Sequence, residues 1–414
     1  MTDALVGQAD LAIKYAISVA ARDGFLERVG EGWRLTDEAS AYGEPQSSEL
    51  EPLVVKTAHQ RLCEHYQKIC PKKHPDTLDE MKPLMTALWH GTRGYDPMSI
   101  WSVIYFGQIN RSQQYLAVDL AALPESLALL DDGIEAFASA SIGSNEGHFC
   151  RLLEVQRANL FMLAGKFDAV RSTTSQLRVH TSPDSLPRFR NQCIELTTSL
   201  WQGHDARALE VAREIDELSV EAGSTSRPRI IVTSDSPKAI DFRKRVANAV
   251  FFILRARGVS DAPPCDWSSF QDDSFLFRDD GILDVFLVQA YLSVNQMDAA
   301  ANHAQRLLDH GTRREFTLSK WMGHLSMGLV LTALGDDKDD APIEKAARHL
   351  DIAVHGFRRA RLLPLLAESL VARARLNKVR GDSTSWKNDR AEARAIAGEI
   401  GMVIWEGFSK LPPS

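Results

Sequence analysis

A helix with a stripe of small and aromatic residues, a tight turn at Gly or Asn, and a second, alanine-rich helix recur along this chain of 414 residues. The unit is plainest in RANLFMLAGKFDAV (157–170), TSLWQGHDARALEVA (198–212), VQAYLSVNQMDAAANHA (288–304) and MGLVLTALGDD (327–337). One such unit cannot bury its own apolar face, so neighbours must stack on it. The turns expected at Gly165, Gly203, Gly258, Asn295, Gly335 and Gly381 are 38, 55, 37, 40 and 46 residues apart. That spacing exceeds the roughly 34 residues of a strict tetratricopeptide repeat. The predicted fold is all-α: a right-handed α-solenoid of tetratricopeptide-like helical hairpins, with a small N-terminal winged-helix-like segment containing a short β-hairpin.

Within a hairpin, a small residue lets the two helices approach and an aromatic fills the space beside it. Ala158, Phe161, Gly165 and Phe167 take those places in one unit, and Tyr291, Asn295, Met297, Ala300 and Ala304 in another. Polar residues beside the small position of the first helix are expected to face a concave groove. Asn159, Thr197 and Gln289 stand there, either as ligand-binding amides and hydroxyl or as groups satisfied between repeats.

The charge balance, −7 with a pI near 6.0, offers no global attraction for phosphate backbones or anionic membranes. No stretch reaches 18 uninterrupted apolar residues. Five scattered cysteines suit a reducing compartment better than a disulfide framework. The chain reads as a soluble cytoplasmic protein with a protein or peptide partner, nucleic acid disfavoured and no membrane involved.

Near the N-terminus, Leu26, Val29, Trp33 and Leu35 flank a Gly30-Glu31-Gly32 turn and read as a hairpin, with Thr36 capping a further helix. A helix over 8–23, this hairpin and a new helix resemble the back half of a winged helix, or else a hairpin packed on the first helices of the array. The helix over 10–23 offers only Lys14 and Arg22 as cations, a poor DNA reader. The expected organisation is a partial winged-helix-like segment over 1–45, a helical connector over 46–148 and the solenoid over 149–410. Two stretches oppose helix, AGSTSRPRIIVTSDSPK (222–238) and GVSDAPPCDWSSFQDDSFLFRDDG (258–281). They read as surface loops or partner-contact loops.

The connector carries a more particular pattern. His59, Arg61, Leu62 and Tyr66 precede Pro75, Asp76, Thr77, Leu78, Glu80, Met81, Pro83, Leu84, Ala87, His90 and Gly91. This run resembles the start of the helical-repeat sensor region of bacterial STAND-type signal-transduction ATPases, the NACHT and NB-ARC relatives. The segment over 350–402 resembles the closing repeats of the same proteins. The resemblance implies the sensor arm of such a protein, detached from its ATPase. The engine itself is not implied, because no phosphate-cradling G-x-x-x-x-G-K-[ST] string occurs.

Other constellations give little chemistry. His59, Cys63, Cys70 and His74 follow H-x3-C-x6-C-x3-H, which fits no common zinc spacing, and Pro71 breaks the helix between them. His148 and Cys150 are two apart and point away from each other on a helix. The basic run over 242–258, with Arg243, Lys244, Arg245, Arg255 and Arg257, reads as a solvated polar face or else as a phosphate or nucleic-acid contact, and Arg358, Arg359 and Arg361 suit a helix C-terminus. The functional expectation is a non-enzymatic helical-repeat binding protein without cofactor or metal, a sensor or scaffold subunit in bacterial signalling or defence. The alternative is a ligand-responsive transcriptional regulator contacting DNA through its N-terminal segment.

Overall fold

The computed structural model describes residues 26–29, 32–35, 52–111, 114–141, 144–182, 185–222, 237–265, 281–335 and 340–405. Two short strands, β1 (Leu26–Val29) and β2 (Gly32–Leu35), pair antiparallel with Leu26 opposite Leu35. The helices on which a winged-helix reading depends, over 8–23 and after Thr36, lie outside the described residues. So does most of the two helix-opposing stretches over 222–238 and 258–281.

Everything else described is helical or connects helices. The connector holds α1 (Pro52–Ile69), α2 (Leu78–Gly94), α3 (Pro97–Ile100), a π-helical stretch Trp101–Ile109, α4 (Tyr115–Val118) and α5 (Leu123–Ala136). The array continues with α6 (Asn145–Leu163), α7 (Phe167–His180), α8 (Leu186–Trp201), α9 (Asp205–Ala222), α10 (Pro237–Ala256), α11 (Ile282–Ser293) and α12 (Met297–Arg314). It ends with α13 (Thr317–Leu334), α14 (Asp340–Arg359), α15 (Leu363–Val379) and α16 (Ser383–Ile400). Consecutive helices pack in pairs, the arrangement of an α-solenoid.

Local sequence explains where the helices start and stop. The Thr77 hydroxyl accepts the Glu80 amide, while the Glu80 carboxylate accepts the Asp76 amide, so two orphan donors at the start of α2 are satisfied. Ser144, Ser185 and Asp382 each accept one amide, from Gly147, Arg188 and Ser385, at the starts of α6, α8 and α16. Gly165, Gly203, Gly258 and Gly381 take the left-handed backbone at their turns, and Asn295 does so at φ 59°. Gly335 does not: its φ is −77°. Its small size serves a close approach instead, since a Cβ there would lie 2.1 Å from Ile343 Cδ1.

The first helices of successive pairs, α6, α8, α11, α13 and α15, together with α10, form the core. Ile282 to Tyr291 of α11 are all buried, as are Val246, Ala247 and Ala249 to Leu254 of α10. Among the described residues, these inner helices touch one another. Trp201 of α8 reaches Phe286 of α11, with ring centroids 5.9 Å apart. The last pair folds back on the first: Ile400 fills the space beside Gly165, and Val403 packs on Gly203 while its amide donates to the Trp201 carbonyl at 2.7 Å. On another side, Thr317 of α13 donates to the Asp119 carboxylate, and Arg359 of α14 donates to the Asp119 carbonyl at 3.1 Å. The array therefore closes on itself.

The basic run on and just after α10 keeps Lys244 and Arg255 exposed, as expected of a solvated face, but Arg243 and Arg257 depart from it. Arg243 is buried, its guanidinium over the Phe189 ring. The Arg257 side chain is 4% exposed, donates to the Leu200 carbonyl at 2.9 Å and lies over the Trp405 ring. α10 packs on both sides of these two positions, so the long arginine stems are absorbed into packing and the Arg257 head reaches a backbone carbonyl, while Lys244 and Arg255 remain exposed.

Candidate functional site

The three residues expected in a groove are buried: Asn159 on α6 is 8% exposed, Thr197 on α8 3% and Gln289 on α11 1%. The closure of the inner helices fills the space they were expected to line. Gln289 Nε2 donates to Glu368 Oε2 on α15 at 2.9 Å. Burial pushes the Glu368 carboxyl up, opposed by the Gln289 bond and by the charges of Arg257 and Arg375. Nearby, His303 Nε2 and Asp284 Oδ1 are 2.7 Å apart and both side chains are fully buried. An Asp–His pair can serve acid–base chemistry, but one sealed from solvent has no route to a substrate.

The other candidates resolve as packing. His59 faces His90, not Cys70 or His74. Cys63 accepts from Gln67, and Cys70 is turned to the Lys72 carbonyl. Burial pushes the Cys63 and Cys150 thiols up, away from the thiolate that nucleophilic chemistry needs. Among the described residues, no group of three or more His, Cys, Asp or Glu side chains is placed to hold a metal ion.

A solvent-facing recess does occur, on the last two helical pairs. It measures about 350 Å³ and is lined from α14 by Asp351, from α15 by Arg373, Asn377 and Arg380, and from α16 and its cap by Asp382, Ser385, Asn388 and Asp389. Residues 373 and 377 share a face one helical turn apart, which brings both to the same carboxylate. Arg373 binds Asp389 through two parallel bonds, Nε to Oδ2 at 2.9 Å and Nη2 to Oδ1 at 2.7 Å, and its Nη1 donates to Asp351 at 3.0 Å. Asn377 Nδ2 adds a bond to Asp389 Oδ2 at 3.0 Å.

This floor is rigid because every guanidinium nitrogen is engaged, and the Asp389 bonds hold Arg373 firmly protonated. At the rim, Arg380 donates to Glu344 at 3.1 Å, and Asp382 is held ionised by the Ser385 amide. Ser385 and Asn388 add a hydroxyl and an amide. A recess of this size, with fixed polar groups and no activated nucleophile, can orient a polar ligand or a side chain of a partner. Sequence reasoning missed it. The i, i+4 pair Arg373 and Asn377 carries no signal of a site by itself, and its partner Asp389 comes from a different helix.

Among the described residues, no helix is long and apolar enough to cross a membrane. No family model matches the chain, and no match was found to a curated protein or to a solved structure.

Proposed function

We propose that this chain is a non-enzymatic helical-repeat binding protein, a sensor or scaffold subunit of bacterial signalling or defence that recognises a protein, a peptide or a small effector. In this reading the hairpins are tetratricopeptide-like, the array is right-handed, and the chain is related to the sensor region of STAND ATPases without the ATPase module, in the cytoplasm. The observation that carries the reading is the recess on α14, α15 and α16. It is solvent-facing, polar and held by a rigid guanidinium–carboxylate floor, whereas the hydrogen-bonded Asp284–His303 pair is sealed inside. Recognition is thereby assigned to this recess and not to the inner face of the array, where Asn159, Thr197 and Gln289 are packed.

The test uses affinity capture from native cell extract with the wild-type chain and with Asn388→Trp, which fills the recess from an exposed position. A partner or small molecule recovered in stoichiometric amount by the wild type and lost by the variant supports the reading. Equal recovery by both moves recognition elsewhere. ATP hydrolysis by the purified chain overturns the non-enzymatic assignment.

A further inference from the structure

Two helical pairs far apart in the chain share one unusual joint. His59 of α1 and His90 of α2 face each other with their Nδ1 atoms 2.9 Å apart, and His324 of α13 and His349 of α14 do the same at 2.8 Å. Ring centroids are 5.1 Å and 4.9 Å apart. At these distances one ring must donate its N–H and the other must accept, which requires at least one neutral imidazole in each pair. Both joints lie in the seam between two antiparallel helices, half-buried.

Their surroundings favour neutrality. Burial draws His90 and His324 down to about 4, and also lowers His59 and His349. The charge acting on the first pair is Arg93, one turn along α2, and on the second Lys320, one turn before His324. Both are cations, so each adds to the cost of a protonated ring.

Carboxylates on neighbouring elements are engaged elsewhere. Around the first pair, Glu64 of α1 accepts from Tyr95, Asp132 of α5 feels Arg93, and the π-helical stretch has no charged residue. Around the second, Asp284 of α11 is paired with His303 of α12, and from α15 Glu368 is paired with Gln289 and Arg373 with Asp389.

The second joint also has a place in the closure of the array. Thr317, which grips Asp119, lies two turns before His324 on α13, about 10 Å along the helix. Arg359, at the end of α14, donates to the Asp119 carbonyl. Parting α13 from α14 would therefore loosen the contact between the connector and the late hairpin.

We propose that the two histidine pairs are proton-sensitive joints, and that acidification separates α1 from α2 and α13 from α14 before the rest of the array unfolds. Protonation of both rings in a pair replaces a shared N–H by two facing cations beside Arg93 or Lys320. These joints are independent of the proposed binding role, and their test involves no partner.

Hydrogen exchange between pH 7.5 and 4.5, corrected for intrinsic rates, reads the opening on the full chain. Protection over 52–94 and 317–359 is expected to fall about ten-fold or more while that of α11 and α12 holds. His90→Gln and His349→Gln, which keep a hydrogen-bonding side chain but cannot titrate, are expected to remove the fall in their own segment only. A fall shared equally with α11 and α12, or one that survives in the Gln variants, overturns the proposal. Should a Gln variant not fold, histidine-labelled NMR titration of the wild type decides: paired rings titrating near 6.5 overturn it, and rings titrating well below 6.5 support it.

Discussion

Gln289 and Glu368, 79 residues apart in sequence, meet through a 2.9 Å hydrogen bond between α11 and α15, two helices separated in the chain by the α12–α14 segment. The bond joins inner helices across the array and not along it. It is therefore a marker of closure, since in an open solenoid each unit touches only its neighbours.

This contact gives a first prediction. Because burial raises the Glu368 carboxyl, its folded form holds a proton more readily than its unfolded form. Its stabilising contribution is present at low pH and is lost as pH rises through the raised folded value. Glu368→Gln should therefore be at least as stable as the wild type at pH 8 in urea unfolding, with the advantage vanishing near pH 4. Glu368→Ala should lose about 3 kcal/mol near pH 4, because it opens a cavity and strands the Gln289 amide, and less at pH 8, where the wild type has already lost the contribution of the protonated carboxyl.

Helix approach supplies a second. A Cβ on Gly323 of α13 would lie 2.5 Å from the Leu308 Cα of α12, a backbone atom that cannot step aside. Gly323→Ala should cost about 2 kcal/mol or more by forcing the helices apart. Gly398 of α16 has nothing within 4 Å of its added Cβ. Gly398→Ala should instead stabilise by about 0.5 to 1 kcal/mol, the ordinary gain of alanine within a helix. Thermal unfolding of the two variants checks both signs.

The recess floor gives a third. Arg373→Lys keeps the charge but loses the two-pronged bond to Asp389, and should cost about 1 to 3 kcal/mol while leaving the bonds of Glu344 and Arg380 intact. Raising salt should not rescue it, because the Asp389 side chain is 9% exposed and poorly screened. Denaturant titration at low and high salt reads this directly.

The C-terminal strap gives a fourth. A chain ending at Gly401 would lose the Val403 amide bond to the Trp201 carbonyl, the buried Met402 and the Trp405 ring over Arg257. It should unfold several degrees lower, about 1 to 3 kcal/mol less stable. Hydrogen exchange should rise first at the α8–α9 turn, where Gly203 loses its cover.

Much of the architecture was legible because its signals are local. A hydroxyl at Thr77 with Glu80 three residues on starts a helix wherever it occurs, and Gly165 or Asn295 after an apolar stripe ends one, so the helical pairs follow from neighbours in sequence. Gly335 reads as another left-handed turn because composition cannot separate a glycine needed for its backbone from one needed for its lack of a side chain. The recess was hidden for a related reason: Arg373, Asp351 and Asp389 sit on three helices, and no spacing within one helix shows that they meet.

The sequence by itself determined that this chain forms stacked helical pairs, since helix caps, turns and apolar periodicity act over a few residues. Only the tertiary structure decided that the array closes. The rotation from each pair to the next accumulates from side-chain packing along the whole array, and its sum brings Ile400 onto Gly165 and Glu368 to Gln289. That sum turned the expected ligand-facing residues into core, and left the polar recess of α14, α15 and α16 on the surface.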